Sequence, residues 1–337
     1  MVSTSPSAVE ARPEGLYCAA GDFFVDPAGP VSRALLTHAH ADHAYVGSTS
    51  YLCASPGVSI ARHRLGGAAV AGMAYGETRR IGDANVSFFP AGHVLGSAQI
   101  RIEVAGAITV VAGDYKRAAD PTTPPFEPLR CDVFVTETTF GLPVFTWPDP
   151  AVVVDELVAA WQAERAAGAV FLIYGYALGK AQRLLALLAD RADLPPEPIF
   201  VHGAVANINQ LYENEGVRLA AWEALGERKG KALAGRLVVA PPHTRGSAWV
   251  RRFPGARTAL LSGFCRIRGE RRRVNVDRGL VLSDHADYDA LHHTVRETEA
   301  SHVLTTGPHA ETFARDLGER GVSAEAVATS FVGEADA

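Results

Sequence analysis

The segment Thr37-His38-Ala39-His40-Ala41-Asp42-His43 concentrates three imidazoles and one carboxylate at one point of the chain. It follows the apolar run Ala34-Leu35-Leu36, which predicts a buried strand, so its first two histidines should lie where that strand ends. Residues two apart in an extended chain point the same way, so both rings can reach one metal. Asp42 and His43 follow as the chain turns and can face a second metal. Imidazole and carboxylate together suit zinc and its neighbours, and so dense a pattern disfavours the alternative of a merely polar loop.

Further histidines and acidic residues occur where other short apolar runs end. They are Asp26, His93, Asp114, Glu137, His285 and His309. Asp114 is a natural carboxylate to bridge two cations. Asp26 is followed by Pro27, and an Asp-Pro turn is one interpretation of this position. One such residue is usually structural, but the recurrence of His93 and Asp114 in this order predicts a metal centre.

The bulk composition limits the class of protein. The 337 residues are 47% hydrophobic and 20% charged, which is typical of globular chains and allows two domains or one domain with a large insertion. A net charge of −5 gives no overall positive field, so nucleic-acid binding would need a local basic patch. The four scattered cysteines predict free thiols in a reducing cytoplasm, and we find no signal peptide or membrane-spanning run. The polar first fourteen residues predict a frayed terminus.

The pattern of the chain changes near residue 150, after several prolines. Helical spacing and apolar runs then alternate, which predicts a small parallel α/β domain. The predicted helices cover 152–167 and 181–189, and the predicted strands cover 169–174, 198–201, 236–239 and 258–261, with a later strand at 280–282. The glycine-containing loop before Lys180 could bind phosphate at a helix N-terminus, although its spacing is not that of a P-loop.

The densest basic run of the chain is Arg266-Ile267-Arg268-Gly269-Glu270-Arg271-Arg272-Arg273. Such a run is either a solvated face or a surface that binds phosphates. In a chain of negative net charge it is the best candidate for the second role.

Six segments occur in a characteristic order: Ala39–His43, Ala91–Ser97, Gly113–Arg117, Glu137–Pro143, Ala177–Gln182 and Leu282–Asp287. They resemble the motifs of the β-CASP nucleases, a branch of the metallo-β-lactamase superfamily that acts on nucleic acids. Within that branch the chain is most similar to the bacterial ligase-associated DNA exonucleases. The similarity runs from about Tyr17 to residue 325. It is specific for the branch and less specific for the substrate.

The resemblance implies an α/β fold, with a metallo-β-lactamase αββα sandwich formed by residues 1–145 and 263–337. An α/β β-CASP cap domain would be inserted over residues 146–262. The implied metal ligands are His38, His40 and His93 for one ion, Asp42 and His43 for the other, and Asp114 between them. The implied catalytic residues are Asp42, Glu137 and His285, with His285 as proton donor to the leaving oxygen. The substrate-binding candidates are Lys180, Arg266, Arg268, Arg271 and His309, and Asp26 would support the histidine loop.

The resemblance also implies an activity, a dinuclear metal-dependent phosphodiesterase that acts as a DNA exonuclease in repair. It would prefer single-stranded ends and work in the 5′-to-3′ direction. Two divalent ions, most naturally Zn²⁺ with Mn²⁺ as the alternative, would supply an activated water. A DNA ligase and a helicase are the implied functional partners.

Three other functions compete with this expectation. An RNA-processing nuclease of the same fold is one. A small-molecule metallohydrolase such as a lactamase or thioesterase is the second, but it has no need of a cap of over a hundred residues. A binding protein with an inactive site is the third, and the complete ligand set argues against it.

One departure from the family pattern lies near the C-terminus. Family members often have Thr-His-Gly there, with the histidine binding the second metal, whereas this chain has Thr305-Thr306-Gly307. DNA-cutting members commonly lack this histidine, which agrees with a DNA substrate. A hydroxyl is a poor metal ligand at neutral pH, and His309 follows Pro308 at the start of a predicted helix. We therefore expect that neither Thr306 nor His309 binds the metal and that His309 contacts a phosphate or solvent.

Overall fold

The protein is described by a computed structural model that covers residues 7–329, except for the side chains of Glu270 and Arg271. The chain divides into two compact units. The first unit contains the residues up to Pro143 and those from His285 onward, and the second contains Val144–Asp284.

The helices and strands predicted between residues 152 and 261 are present with shifts of one or two residues at their ends. The structure also contains elements that the sequence did not predict, among them the helices 58–64 and 203–214 and the strands 222–224 and 324–326. The first unit begins with β1 (Glu10–Arg12), β2 (Gly15–Cys18), β3 (Phe23–Val25), β4 (Arg33–Leu35), β5 (Ser50–Ala54), α1 (Val58–Arg64), β6 (Val70–Met73), β7 (Thr78–Ile81), β8 (Ala84–Pro90), β9 (Ala98–Val104), β10 (Ala107–Val111) and β11 (Val133–Glu137). The second unit contains α2 (Pro150–Ala166), β12 (Phe171–Tyr174), α3 (Lys180–Leu188), β13 (Ile199–Val201), α4 (Gly203–Asn214), β14 (Trp222–Ala224), β15 (Leu237–Ala240), β16 (Arg257–Leu261), α5 (Arg268–Arg273) and β17 (Arg278–Leu280). The first unit resumes with α6 (Tyr288–Thr298), β18 (His302–Thr306), α7 (Ala310–Glu319) and β19 (Ala324–Ala326).

Two sequence predictions need correction. Residues 10–12 are not frayed, because β1 pairs with β2 in an antiparallel ladder. The strand expected at 280–282 is β17, which begins and ends earlier because it pairs in register with Ala259–Leu261 of β16.

The prediction of free thiols is confirmed, since all four cysteines are free and buried. Within residues 7–329 no helix is long and apolar enough to cross a membrane.

Two sheets share the main core of the first unit. One has the order β1-β2-β3-β4-β5-β6 and is parallel from β3 to β6, and the other has the order β19-β18-β11-β10-β9-β8-β7. Side chains of both sheets, such as Val25, Leu35, Ile100 and Val135, meet in one buried cluster. Since side chains alternate along a strand, Phe134 faces the other way and joins the cluster that contains residues of α6 and α7.

The strand directions bring several carboxyl ends to one edge of the first unit. β3 and β4 are parallel neighbours, and so are β10, β11 and β18. β8 runs in the same direction as β10, because both are antiparallel to β9. Residues that follow these strands are therefore placed together, which is where parallel sheets commonly carry their sites.

The second unit is built on a wholly parallel sheet with the order β14-β13-β15-β12-β16-β17. Its central strands β12 and β15 are buried throughout, as expected for a parallel sheet covered on both faces. One face packs against α2 and α3 through residues such as Leu157 and Leu184. The other face is covered by Leu233 and Phe253 from short 3-10 segments.

Candidate metal centre

Three histidines direct ring nitrogens to one position beside Asp114. Nε2 of His38 lies 3.0 Å from Nδ1 of His40, and Nε2 of His93 lies 3.1 Å from the same atom. One ligand atom from each of these four residues lies within 4.8 Å of the others. Nitrogens bound to one tetrahedral zinc are about 3.3 Å apart, so the spacing fits a shared ion.

Asp114 also faces the second predicted set of ligands. Its Oδ2 lies 3.5 Å from Nε2 of His38, 3.8 Å from Nε2 of His93 and 3.6 Å from Nε2 of His43. Asp42 Oδ2 is 3.7 Å from the same His43 nitrogen. A carboxylate in this position can serve two cations at once, so the donor set fits a pair of metals.

Asp26 and Thr37 determine which ring nitrogens face the centre. The buried Asp26 carboxylate accepts hydrogen bonds from Thr37 N at 2.7 Å and from the Thr37 hydroxyl at 2.5 Å. Asp26 also lies 2.8 Å from Nδ1 of His43, which must therefore carry a proton and donate it. The Thr37 hydroxyl already donates to Asp26, so Nδ1–H of His38, 3.1 Å away, donates to the Thr37 oxygen. Both rings then present an unprotonated Nε2 to a metal.

The turns that carry His93 and Asp114 bring backbone close to the histidine loop. The Ser97 hydroxyl accepts the N–H groups of His93 and Val94, which closes the turn after β8. Gly113 has a φ of 59°, and a Cβ there would lie 2.6 Å from the Thr37 side chain. Glycine is therefore required for Asp114 to approach the loop that follows β4.

Burial and the charges of neighbouring groups shift the pKa values of several residues at this centre. Burial disfavours a charged His43, but Asp114, Asp42 and Asp26 outweigh it and raise the pKa of His43 to about 10. Burial raises the pKa of Asp114 to about 7, although the neighbouring His43 opposes this. Burial and the nearby charges of His43 and His40 lower the pKa of His38 well below its usual value. A metal cation would replace the His43 proton and keep Asp114 ionised.

Glu137 and His285 form a buried pair beside Asp114. His285 Nδ1 lies 3.0 Å and 2.9 Å from the two carboxylate oxygens of Glu137, and Glu137 also accepts the backbone N–H of Tyr115 at 2.9 Å. Ligand atoms of Asp114, Glu137 and His285 lie within 4.8 Å of one another. Nδ1 of His285 is therefore engaged by the Glu137 carboxylate.

The position that departs from the family pattern also lies at this edge. Thr306 ends β18 opposite Glu137 in register, and its hydroxyl donates to Thr136 O at 3.2 Å. The cavity at the centre is lined by Asp26, Asp42, His43, Asp114, Glu137, Thr139, Thr306, Gly307 and Pro308, among others. His309 occupies the N-cap position of α7 without a capping hydrogen bond from its side chain, and it is half-buried. Among residues 7–329, it does not belong to any of the residue groups whose geometry could hold a metal ion.

The other substrate-binding candidates belong to the second unit. Lys180 is only 1% exposed, and its ammonium lies 2.7 Å from Oδ1 of the equally buried Asp284, so it belongs to the interior of that unit. Arg266 and Arg268 are exposed, and Arg266 donates to the Thr146 hydroxyl at 3.2 Å. The side chain of Arg271 lies outside the described residues.

The sequence did not single out Thr37 or Ser97. The hydroxyl of each hydrogen bonds with a histidine that is a candidate metal ligand, His38 and His93 respectively. For Thr37 the available signal was a hydroxyl residue directly before a strand-end histidine, and that signal is common in loops.

Comparison with known proteins yields relatives but no match to a protein-family model. A protein of Opitutus terrae named a probable DNA ligase is 33% identical over 321 residues, which are 93% of this chain and 30% of that protein. The endoribonuclease ysh1 of Aspergillus fumigatus is 30% identical over 181 residues, which are 47% of this chain and 20% of that protein. The cleavage and polyadenylation specificity factor 73 of Drosophila melanogaster is 33% identical over 122 residues, covering 34% of this chain and 18% of that protein. The chain thus spans less than a third of the length of these relatives.

A solved structure supports the fold alone. The crystal structure of a protein of unknown function from Enterococcus faecalis superposes with a TM-score of 0.57 at 12% identity, over 88% of this chain and 79% of that one. The three named relatives share one branch of a superfamily, and the ordered motifs of this chain, from Ala39–His43 to Leu282–Asp287, are those of the same branch. The chain belongs to the β-CASP branch of the metallo-β-lactamase superfamily.

Proposed function

We propose that this chain is a metal-dependent nuclease that hydrolyses phosphodiester bonds of DNA, acting as an exonuclease on single-stranded ends. The observation that carries the proposal is the convergence of two ligand sets on Asp114, with the Glu137–His285 pair beside it. In this proposal the first unit is the metallo-β-lactamase αββα sandwich and the second unit is the β-CASP cap.

The donor atoms fit two divalent cations. One ion would be held by His38, His40 and His93, the other by Asp42 and His43, and Asp114 would contact both. When bound, such ions supply an activated water and neutralise charge on the phosphoryl oxygens. The nitrogen-rich set favours zinc, and the two carboxylates make manganese the alternative.

The residues of the chain have separate tasks in this scheme. Asp26 and Thr37 engage the protonated Nδ1 of His43 and His38, so that Nε2 of each ring is the nitrogen that faces the centre. Glu137 holds the His285 ring through Nδ1, so Nε2 can deliver a proton to the departing sugar oxygen. His309 remains a candidate for a phosphate contact.

The share of this chain that each relative matches favours DNA over RNA as the substrate. The relative named a probable DNA ligase matches 93% of this chain, whereas the relative named endoribonuclease ysh1 matches 47%. The name of the first also supports a functional link to a DNA ligase in repair, and the family resemblance adds a helicase. An RNA-processing nuclease is the second candidate, supported by the endoribonuclease names.

The direct test uses metal-loaded protein and oligonucleotides labelled at the 5′ or the 3′ end. We expect stepwise shortening of single-stranded DNA from its 5′ end, slower cutting of duplex DNA, and little cutting of RNA. Converting Asp42 to asparagine should abolish the activity, while the same change at the exposed Asp22 should not. Efficient cutting of RNA alone would replace the DNA assignment, and full activity after metal removal would overturn the mechanism.

The role of His285 can be tested through the leaving group. An alkoxide leaving from DNA needs a proton, whereas p-nitrophenolate leaves without one. Converting His285 to alanine should therefore slow DNA hydrolysis by about 10²–10⁴-fold but should slow bis(p-nitrophenyl) phosphate hydrolysis much less. Equal losses on both substrates would show that His285 is not the proton donor.

A further inference from the structure

The second unit contains another basic region, whose residues are dispersed in the sequence. Between Gly226 and Arg257 the chain has eight lysine and arginine residues and one acidic residue, Glu227. The whole chain has a net charge of −5, so this segment is a strong local exception. It forms the connections from β14 to β15 and from β15 to β16, including the 3-10 segments Pro242–Thr244 and Ala248–Arg252.

The topology of the parallel sheet places part of this segment beside a natural crevice. β13 and β15 are neighbours, but the chain leaves β13 through α4 towards β14 and leaves β15 in the opposite direction towards β16. The carboxyl ends of two such strands flank a crevice in which parallel sheets commonly bind ligands. His202 follows β13 directly, and His243 follows β15 within three residues.

Aromatic and imidazole rings cluster at this point. The Trp249 ring lies 5.0 Å from that of His202 and 4.9 Å from that of Phe253, and His202 lies 6.3 Å from His243. Phe253 is buried, while Trp249 keeps part of its indole exposed. The positive charge of Arg252 is close enough to contribute to the lowered pKa of His202, after burial and His243.

Several side chains in and around this cluster have polar atoms that no described residue of the protein pairs with. Among residues 7–329, the indole N–H of Trp249, the ring nitrogens of His243 and the guanidinium groups of Arg245 and Arg251 make no hydrogen bond or ion pair. Other arginines of the same unit are paired with acids: Arg165 with Glu197, Arg191 with Asp155 and Asp193, and Arg218 with Asp190. Within the described residues, the region around Trp249 therefore has hydrogen-bond donors and positive charges without protein partners. They lie next to an aromatic ring that packs against Phe253.

We propose that this cluster, consisting of His202, His243, Arg245, Trp249, Arg251 and Arg252, binds a single-stranded polynucleotide. A base stacks against the exposed part of Trp249 and the imidazoles, and the arginines bind the flanking phosphates. Aromatic stacking tolerates any base, and guanidinium groups bind phosphate with a fixed fork, so the site is a sequence-independent one. DNA and RNA share this chemistry. The inference rests on the proposed nuclease function, to which it adds a second site that binds the substrate.

The test measures binding by the full chain in the presence of EDTA, so that no cutting occurs. Fluorescent 12-residue oligo(dT) and oligo(rU) are titrated by anisotropy at several NaCl concentrations. Trp249→Ala should weaken binding about tenfold. The matched control is Trp222→Ala, since Trp222 is also half-buried in this unit but its indole N–H donates to Glu213 at 3.0 Å. Unchanged binding by Trp249→Ala, with a normal melting temperature, overturns the inference.

The arginines are tested through the salt dependence of binding. Arg245→Ala with Arg251→Ala should lower the slope of log K against log salt by about 0.7 for each phosphate that the variant no longer binds. The matched control is Arg165→Ala with Arg218→Ala, which removes the same charge from ion-paired positions. Equal slope changes in both pairs, or competition by poly-glutamate that is as strong as by oligonucleotide, would show general charge attraction and overturn the site.

The two proposals fail in distinguishable ways. Hydrolysis of bis(p-nitrophenyl) phosphate reports on the metal centre without needing a long strand. If the metal-loaded protein hydrolyses this ester but the Trp249 and arginine variants bind strands normally, the binding site is wrong and the nuclease proposal stands. If the ester and the strands are both left uncut while the variants still bind strands more weakly than the parent, the nuclease proposal is wrong. Binding of oligo(dT) over oligo(rU), or the reverse, identifies the polynucleotide.

Discussion

Replacing Asp26 by asparagine should loosen the second metal through the protonation of His43. The asparagine oxygen can still accept the Thr37 backbone N–H, but its amide nitrogen now faces the Thr37 hydroxyl and Nδ1 of His43. Since an amide NH₂ only donates, Nδ1 of His43 must accept, and the ring proton moves to Nε2. Nε2 is the nitrogen that faces Asp42 and Asp114, and a protonated nitrogen cannot bind a metal.

The magnitude follows from the hydrogen bonds that change. Partners that orient a metal-binding imidazole are worth about 10- to 100-fold in metal affinity, so we expect the affinity for the second metal to fall by that factor. The first metal should be affected less, because Asp26 reaches His38 only indirectly, through the Thr37 hydroxyl, whereas it contacts His43 directly. Asp26 is 1% exposed, and removal of its charge-assisted hydrogen bond should lower the free energy of unfolding by about 1.5–3 kcal/mol.

The assay is zinc titration against a chromogenic chelator, with two affinities fitted for each variant. The matched control is Asp22→Asn, because Asp22 has a φ of 49° and Asp26 a φ of 45°, so the backbone effect of asparagine is the same. Asp22 is exposed, and its carboxylate accepts a hydrogen bond from the Tyr17 hydroxyl at 2.9 Å. Unchanged zinc affinities in Asp26→Asn, or weaker binding of the first metal alone, would refute the reasoning.

Three further outcomes are expected. His309→Ala should retain both metals by elemental analysis, and the loss of one metal from a folded variant would make His309 a ligand. Burial disfavours the charged form of Asp316, but hydrogen bonds from three neighbours outweigh it and hold the pKa of this carboxyl below its usual value. The ionised Asp316 therefore stabilises the fold above the unfolded-state pKa of about 4, and this stabilisation is lost as the pH falls through the lower pKa of the folded state. Asp316→Asn should therefore be less stable than the parent at pH 6, with a difference that shrinks below about pH 4 in urea titrations, and a difference independent of pH would contradict this. Burial raises the pKa of both Cys53 and Cys131 to about 12, so iodoacetamide at about pH 8 should label them only in unfolded protein, as mass spectrometry would show, whereas fast labelling of the native chain would contradict their burial.

Local pattern in the sequence was enough to predict the strand ends that carry chemistry. The histidines of the Thr37–His43 segment follow an apolar run, and the same arrangement recurs before His93, Asp114 and Glu137. Strand periodicity depends on neighbouring residues only, because side chains alternate along an extended chain whatever its partners are. The sequence did not predict the short N-terminal strand β1, because all three of its residues are exposed and show no apolar alternation.

The tertiary structure decided which of these residues meet and what each one contacts. The register of β11 with β18 places Thr306 opposite Glu137, although 169 positions separate them in the chain. Packing also places Lys180 in a buried ion pair with Asp284, where the sequence suggested an open phosphate loop.

Long-range pairing also decides contacts that no short segment of the sequence could specify. Asp26 contacts His43 across a parallel strand pair, and the ring of Trp249 contacts His202 from a different connection of the sheet. Such contacts depend on register and strand order, which arise from the burial of whole faces and not from any short segment. The sequence by itself determined the kinds of ligand and their order, and the fold determined their partners.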